Sequence, residues 1–153
     1  MSHRRIIEGR VVVSAWKTPE LSDVRELAAD VAAASARLGR KVLYLSVIGP
    51  SSIPTGEIRD EIVGFYQAML AHAESMHIVI EGTEFQQSIK RSVIANVLLV
   101  VPSRGRVFIE NTLPGVIAAS PAPLRVELTK AAQVASEQRL FDFARGVEAA
   151  SGR

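Results

Sequence analysis

Lys41-Val42-Leu43-Tyr44-Leu45-Ser46-Val47-Ile48 is a nearly unbroken apolar run, closed by Gly49-Pro50-Ser51-Ser52-Ile53-Pro54. Alternate side chains of a strand point to opposite sides of its sheet, so a run that is apolar throughout needs apolar cover on both faces. It predicts the central strand of a sheet flanked by helices. After the break, Thr55 offers a capping hydroxyl to a helix in which Ile58, Ile62, Phe65, Met69 and Ala73 recur at helical spacing.

Upstream, Arg4 to Ile7 and Arg10 to Trp16 are two β-rich runs around Glu8-Gly9, the pattern of an opening hairpin. Thr18-Pro19 predicts the next helix start, since proline at the first helical position gives up no needed N–H. Val24, Leu27, Ala28, Val31 and Leu38 share one face of that helix, and Gly39 ends it. Downstream, Met76 to Glu81 is a second buried-type strand, followed by Thr83-Glu84-Phe85-Gln86, a capping box. Phe85, Ile89 and Val93 predict the inner stripe of the helix that starts there. Its β-branched end, Val97 to Val101, is compatible with extended chain, but helix to about Val100 is favoured. Pro102 to Gly105 is a turn, Arg106 to Glu110 a last strand, and Thr112-Leu113-Pro114 the start of a short helix. A final helix is expected from Leu124 to Val147. Strands alternating with helices after a hairpin predict an α/β fold with a single mixed, mostly parallel sheet opened by an N-terminal β-hairpin.

Composition narrows the function classes. The chain has 153 residues, the size of one domain, and no cysteine, which excludes disulfides, thiolate metal sites and cysteine nucleophiles. Its 18 basic residues are interspersed with 16 acidic ones, and aromatics make up only 5%. Nucleic-acid binding wants a one-sided basic patch, with aromatics where strands are single, so no nucleic-acid partner is expected. No apolar stretch resembles a secretory signal or a membrane span, so a soluble, cytoplasmic protein is expected. Gly-x-Ser-x-Gly, Walker-type and Gly-x-Gly-x-x-Gly motifs are all missing, so no enzyme activity and no cofactor are expected.

The opening hairpin, the Thr-Pro-Glu-Leu start at Thr18, the strand Lys41 to Ile48, the Gly-Thr-initiated helix at Thr83 and the strand Val107-Phe108-Ile109 together resemble STAS/SEC14-like (SpoIIAA-like) proteins over residues 4–119. The resemblance implies a small non-catalytic regulatory or ligand-binding module, as in bacterial anti-sigma-factor antagonists. In those proteins a Ser or Thr after the second main strand is phosphorylated; the corresponding stretch here, Ser51 to Gly56, lacks their Asp-Ser-Ser-Gly run. Residues 120–153 fall outside the resemblance, as a helical extension packed on the same domain or on a second subunit.

Candidate sites follow from these placements. Ser51, Ser52 and Thr55 stand at a helix start, where free N–H groups favour an anion, and are candidates for partner binding or phosphorylation. The plainer reading, which needs no partner, is that Thr55 caps the helix and the serines make turns. Phe65, Tyr66, Thr83, Phe85 and Ile89 are candidate walls of a ligand pocket, against the alternative of plain core packing and capping. His72 and His77 lack a third ligand at metal spacing, Asp60-Glu61 read as a solvated helix face, and Lys90-Arg91 and Arg104-Gly105-Arg106 are basic spots expected to face solvent. The leading expectation is therefore a module that binds a protein partner through the Gly49 to Gly56 loop and the helix beginning at Thr55. The alternative is a carrier or sensor of a small apolar or acidic molecule. The apolar side of the last helix, with Leu140 and Phe141, needs cover by the chain's own domain or by a second copy, and a homodimer is expected.

Overall fold

In a computed structural model that describes residues 3–18, 20–50, 56–101 and 103–146, the chain forms one five-stranded sheet. Strands β1 (His3–Glu8) and β2 (Val11–Trp16) make the hairpin, and β3 (Val42–Ile48), β4 (Ala73–Ile80) and β5 (Val107–Glu110) continue the sheet in parallel. Helices α1 (Leu21–Leu38), α2 (Gly56–His72) and α3 (Glu84–Val100) are the crossovers. They are followed, after β5, by α4 (Leu113–Ala119), α5 (Arg125–Glu137) and α6 (Leu140–Ala144). The α/β class, the mixed sheet and its antiparallel opening agree with the sequence pattern. No helix among the described residues is long and apolar enough to cross a membrane.

Strand order is strictly sequential, β1-β2-β3-β4-β5. When each crossover leads to the next strand with the same hand, every crossover helix lands on the same face. Accordingly Val12, Trp16, Val42, Tyr44, Met76, Ile78 and Ile80 pack with residues of α1, α2 and α3. The alternate residues Val11, Val13, Ala15, Leu43, Leu45, Val47 and Val79 form a second cluster with α4, α5 and α6. Both faces of the run around β3 are thus buried, each by helices of different origin.

Three boundaries differ from the sequence reading. Helix α1 starts at Leu21 behind Glu20, whose side chain makes no capping bond, rather than at Thr18-Pro19; Pro19 lies outside the described residues. Strand β4 begins at Ala73, directly after α2, because Arg106 donates to the carbonyls of Leu70 (2.7 Å), Ala73 (2.5 Å) and Glu74 (2.9 Å) and so closes the helix end without a loop. The single final helix is instead a 3₁₀ turn at Ala122–Leu124, then α5, then α6, with Arg139 between them in the left-handed region at φ 59°. An unbroken helix over that span would run roughly 35 Å and leave the sheet behind. The bend returns Leu140, Phe141 and Ala144 to β2, and Leu124, Leu128, Ala131, Ala135 and these three are all buried within the chain. The apolar side that called for a second copy is covered by the chain's own sheet, at a gain of about 1.5–3 kcal/mol for each large side chain.

Ion pairs tie the elements at the sheet's two ends. Arg10 at the hairpin turn holds Glu127 of α5 through two bonds (2.7 and 3.0 Å) and Glu74 of β4 at 3.0 Å. At the opposite end Arg145, just after α6, grips the Glu81 carboxylate at 2.7 to 3.1 Å. Beside it Gly49 meets the α6 backbone: a Cβ there would lie 1.8 Å from the Ala144 carbonyl oxygen and 2.9 Å from that of Trp16. Gly64 in α2 faces open space instead. Gly49→Ala should therefore lower stability by about 1–3 kcal/mol in urea unfolding, whereas Gly64→Ala should raise it by about 0.5–1 kcal/mol. Equal effects at the two sites would refute the backbone contact.

Candidate functional site

Ser14 of β2 pairs in register with Ser46 of β3, which pairs with Ile78 of β4, and the serine side chains point to the face covered by α1–α3. Two small side chains side by side, where neighbouring positions carry Trp16, Tyr44 and Met76, leave a depression in the sheet surface. Over it lies a cavity of about 90 Å³ with Trp16, Tyr44 and Ser46 in its floor and Phe65 and Tyr66 of α2 in its wall. The chain's single tryptophan and both its tyrosines line this space.

The floor's polar atoms satisfy one another. Trp16 Nε1 donates to the Tyr44 hydroxyl (3.4 Å), which lies 2.5 Å from Ser14 Oγ, and Ser14 Oγ donates to Ser46 Oγ (3.3 Å). That order leaves Tyr44 as donor to Ser14. Burial pushes both the Tyr44 and Tyr66 hydroxyls above the ordinary tyrosine range, so both rings stay neutral. The ring of Phe65 stands edge-on to Tyr44 with centroids 6.4 Å apart.

One cation borders the cavity. Lys90 of α3 is 2% exposed, and its ammonium donates to the carbonyls of Gly49 (2.7 Å), Pro50 (3.2 Å) and Glu81 (3.2 Å), where β3 and β4 end. Desolvation draws its pKa below the usual lysine value, opposed by the charge of Glu81. The expectation of a solvent-facing Lys90 is thus overturned, and with it the phase of α3. The helix buries Lys90, Val93, Ile94 and Val97, while Phe85 is 75% exposed. A charged residue occupying an inner position shifted the apparent apolar stripe onto Phe85, Ile89 and Val93. The usable signal was that Val93, Ile94 and Val97 follow Lys90 at three, four and seven residues, on one helical face.

The pocket candidates therefore separate. Phe65 and Tyr66 border the cavity, whereas Phe85 and Ile89 line an open groove of about 560 Å³ beside Val63 of α2. Thr83 caps α3: its Oγ1 accepts from Gln86 N (3.2 Å) while its own N–H donates to Gln86 Oε1 (2.8 Å), the box expected from sequence. Ser51, Ser52 and Thr55 lie outside the described residues. The other basic spots are engaged structurally, Arg91 with Asn111 Oδ1 (2.7 and 3.2 Å) and Arg106 with the end of α2. Glu61 pairs with Arg25 at 2.6 Å on the surface. Among the described residues, no group of three or more His, Asp or Glu is placed to hold a metal ion.

On the sheet's other face His77 is fully buried and stacked on Phe108, centroids 5.1 Å apart. Its Nδ1 lies 2.7 Å from Ser120 Oγ and its Nε2 2.7 Å from Ser75 Oγ. Ser120 Oγ donates its proton to the Val116 carbonyl at 2.6 Å, so it accepts from His77 Nδ1–H, and Nε2 then accepts from Ser75. Burial pushes the His77 pKa down to about 4, so the ring is neutral at physiological pH. The hydroxyl–imidazole pair has the polarity of a nucleophile and its base, but it is buried where α4 packs on β4. It holds the end of α4 to β4.

Comparison with family models, with curated proteins and with solved structures yields no match to this chain.

Because His77 titrates near 4 folded and about 6.5 unfolded, the unfolded chain binds the extra proton between these values. Stability is then fully present above pH ~6.5 and falls toward pH ~4, by about 3 kcal/mol in all. His3, also lowered chiefly by burial, adds to the same slope. Urea unfolding at several pH values should show a shallower acid decline in His77→Gln than in the original chain. Parallel pH profiles for the two proteins would refute the neutral, buried ring.

Proposed function

We propose that this chain is a non-catalytic STAS-like binding module that holds a small molecule with an apolar body between its sheet and α1–α3. The cavity over Trp16, Tyr44 and Ser46 carries that reading. Protein interiors pack without voids larger than a water molecule. A part-open hollow with largely apolar walls offers a ligand about 25 cal/mol for each Å² of apolar surface that it covers. Aromatic walls, a self-satisfied polar floor and a single bordering cation suit a small ligand with few polar groups.

The non-catalytic part is supported by the enclosure of the Ser75–His77 pair on the opposite face. The STAS-like part is supported by the hairpin, the sequential parallel strands and the capping box at Thr83, all in the order that the resemblance implies. A second reading, regulatory binding of a protein partner, is favoured by the α2–α3 groove with Phe85 75% and Leu99 83% exposed at its helix. Large apolar side chains presented in this way commonly mark contact surfaces.

Native mass spectrometry of the chain purified from its own host should reveal a small bound mass, lost in Val93→Phe, which fills the cavity. Bare chain mass in both proteins would count against the carrier reading. For the second reading, Phe85→Asp with Leu99→Asp should abolish co-purification of a defined partner while leaving the fold intact by circular dichroism. Retained co-purification would exclude that face.

A further inference from the structure

The Lys90 ammonium brings a full charge into a site where, among the described residues, no carboxylate forms an ion pair with it. The nearest acid, Glu81, is committed to Arg145 at 2.7 Å, and only its backbone carbonyl reaches Lys90. Of the three carbonyl contacts, that to Gly49 is short at 2.7 Å, while those to Pro50 and Glu81 stand at 3.2 Å, the outer limit of a good hydrogen bond. Neutral carbonyl dipoles offset only part of the cost of burying a cation, and an anion would offset more.

We propose that the cavity takes a small monocarboxylate, its alkyl tail among Trp16, Tyr44, Phe65 and Ile94 and its carboxylate on Lys90 Nζ in place of one of the two long carbonyl bonds. This rests on the cavity reading above. The same group that ends the β3 and β4 strands then also selects the ligand's charge. A cationic ligand would meet Lys90 head-on, and a neutral one would gain the apolar walls without a charge-assisted bond. Size sets the tail. A cavity of about 150 Å³ admits benzene, with its six carbons, so the smaller 90 Å³ here suits a carboxylate with a tail of only about two carbons. Bulky polyanions are disfavoured by walls that carry no second cation among the described residues.

Propionate and propionamide form a matched pair of probes, alike in shape and different in charge. Each is titrated into the full chain at low salt, followed by Trp16 emission and by the methyl resonances of Ile78 and Ile94, all in residues that line the cavity. Propionate should bind at least about tenfold more tightly than the amide. In Lys90→Met the two affinities should come within about twofold, with amide binding retained. The comparison in the original chain needs no variant, so it decides the matter even where Lys90→Met does not fold. Equal affinities there, or tighter binding of the amide, overturn the carboxylate assignment and leave the cavity reading standing. No saturable response to either probe overturns both.

Discussion

A parallel sheet whose strands follow one another in sequence places all its crossover helices on one side, and most of this structure answers that constraint. Helices α1, α2 and α3 occupy one face. The other face is equally apolar, because Val11, Val13, Leu43, Leu45 and Val47 alternate with the residues that α1–α3 cover. It is buried by chain that follows the last strand. The C-terminal helices are therefore part of the fold, and the turn at Arg139 exists because one straight helix would overrun the sheet. Arg10 secures α5 at one end and Arg145 secures the end of α6 at the other.

The division between faces also divides the polar groups. Each face buries a hydrogen-bonded cluster, Trp16–Tyr44–Ser14–Ser46 on one and Ser75–His77–Ser120 on the other. The second is tightly enclosed and fixes one histidine tautomer, which suits a structural clamp. The first lies beneath the cavity that α1–α3 cover. Serines at paired positions matter twice there: they remove bulk from the sheet surface and supply the bonds that let Tyr44 and Trp16 be buried at low cost.

Gly49 is where the two faces communicate. Its carbonyl accepts the shortest Lys90 bond from the α3 side, and its bare Cα admits the Ala144 carbonyl from the α6 side. Its own N–H donates to the Trp16 carbonyl at 3.0 Å.

The sequence by itself determined the elements whose cause is local. The apolar run at Lys41 to Ile48, the glycine that ends α1, the hairpin around Glu8-Gly9 and the Thr83–Gln86 box each follow from side-chain periodicity, left-handed glycine or reciprocal capping within a few residues. Phe65 and Tyr66 were legible as a wall because α2 has an ordinary apolar stripe. Lys90 was not, because a lysine on an inner face is stable only where carbonyls from two strand ends converge on it, and those lie 9, 40 and 41 residues away in the chain. The same holds for the cavity itself, which depends on the register that sets Ser14 beside Ser46, and for the break after α5, which depends on how far the sheet extends. Pairing register and the meeting of distant strand ends are properties of the closed fold. Only the tertiary structure decided them.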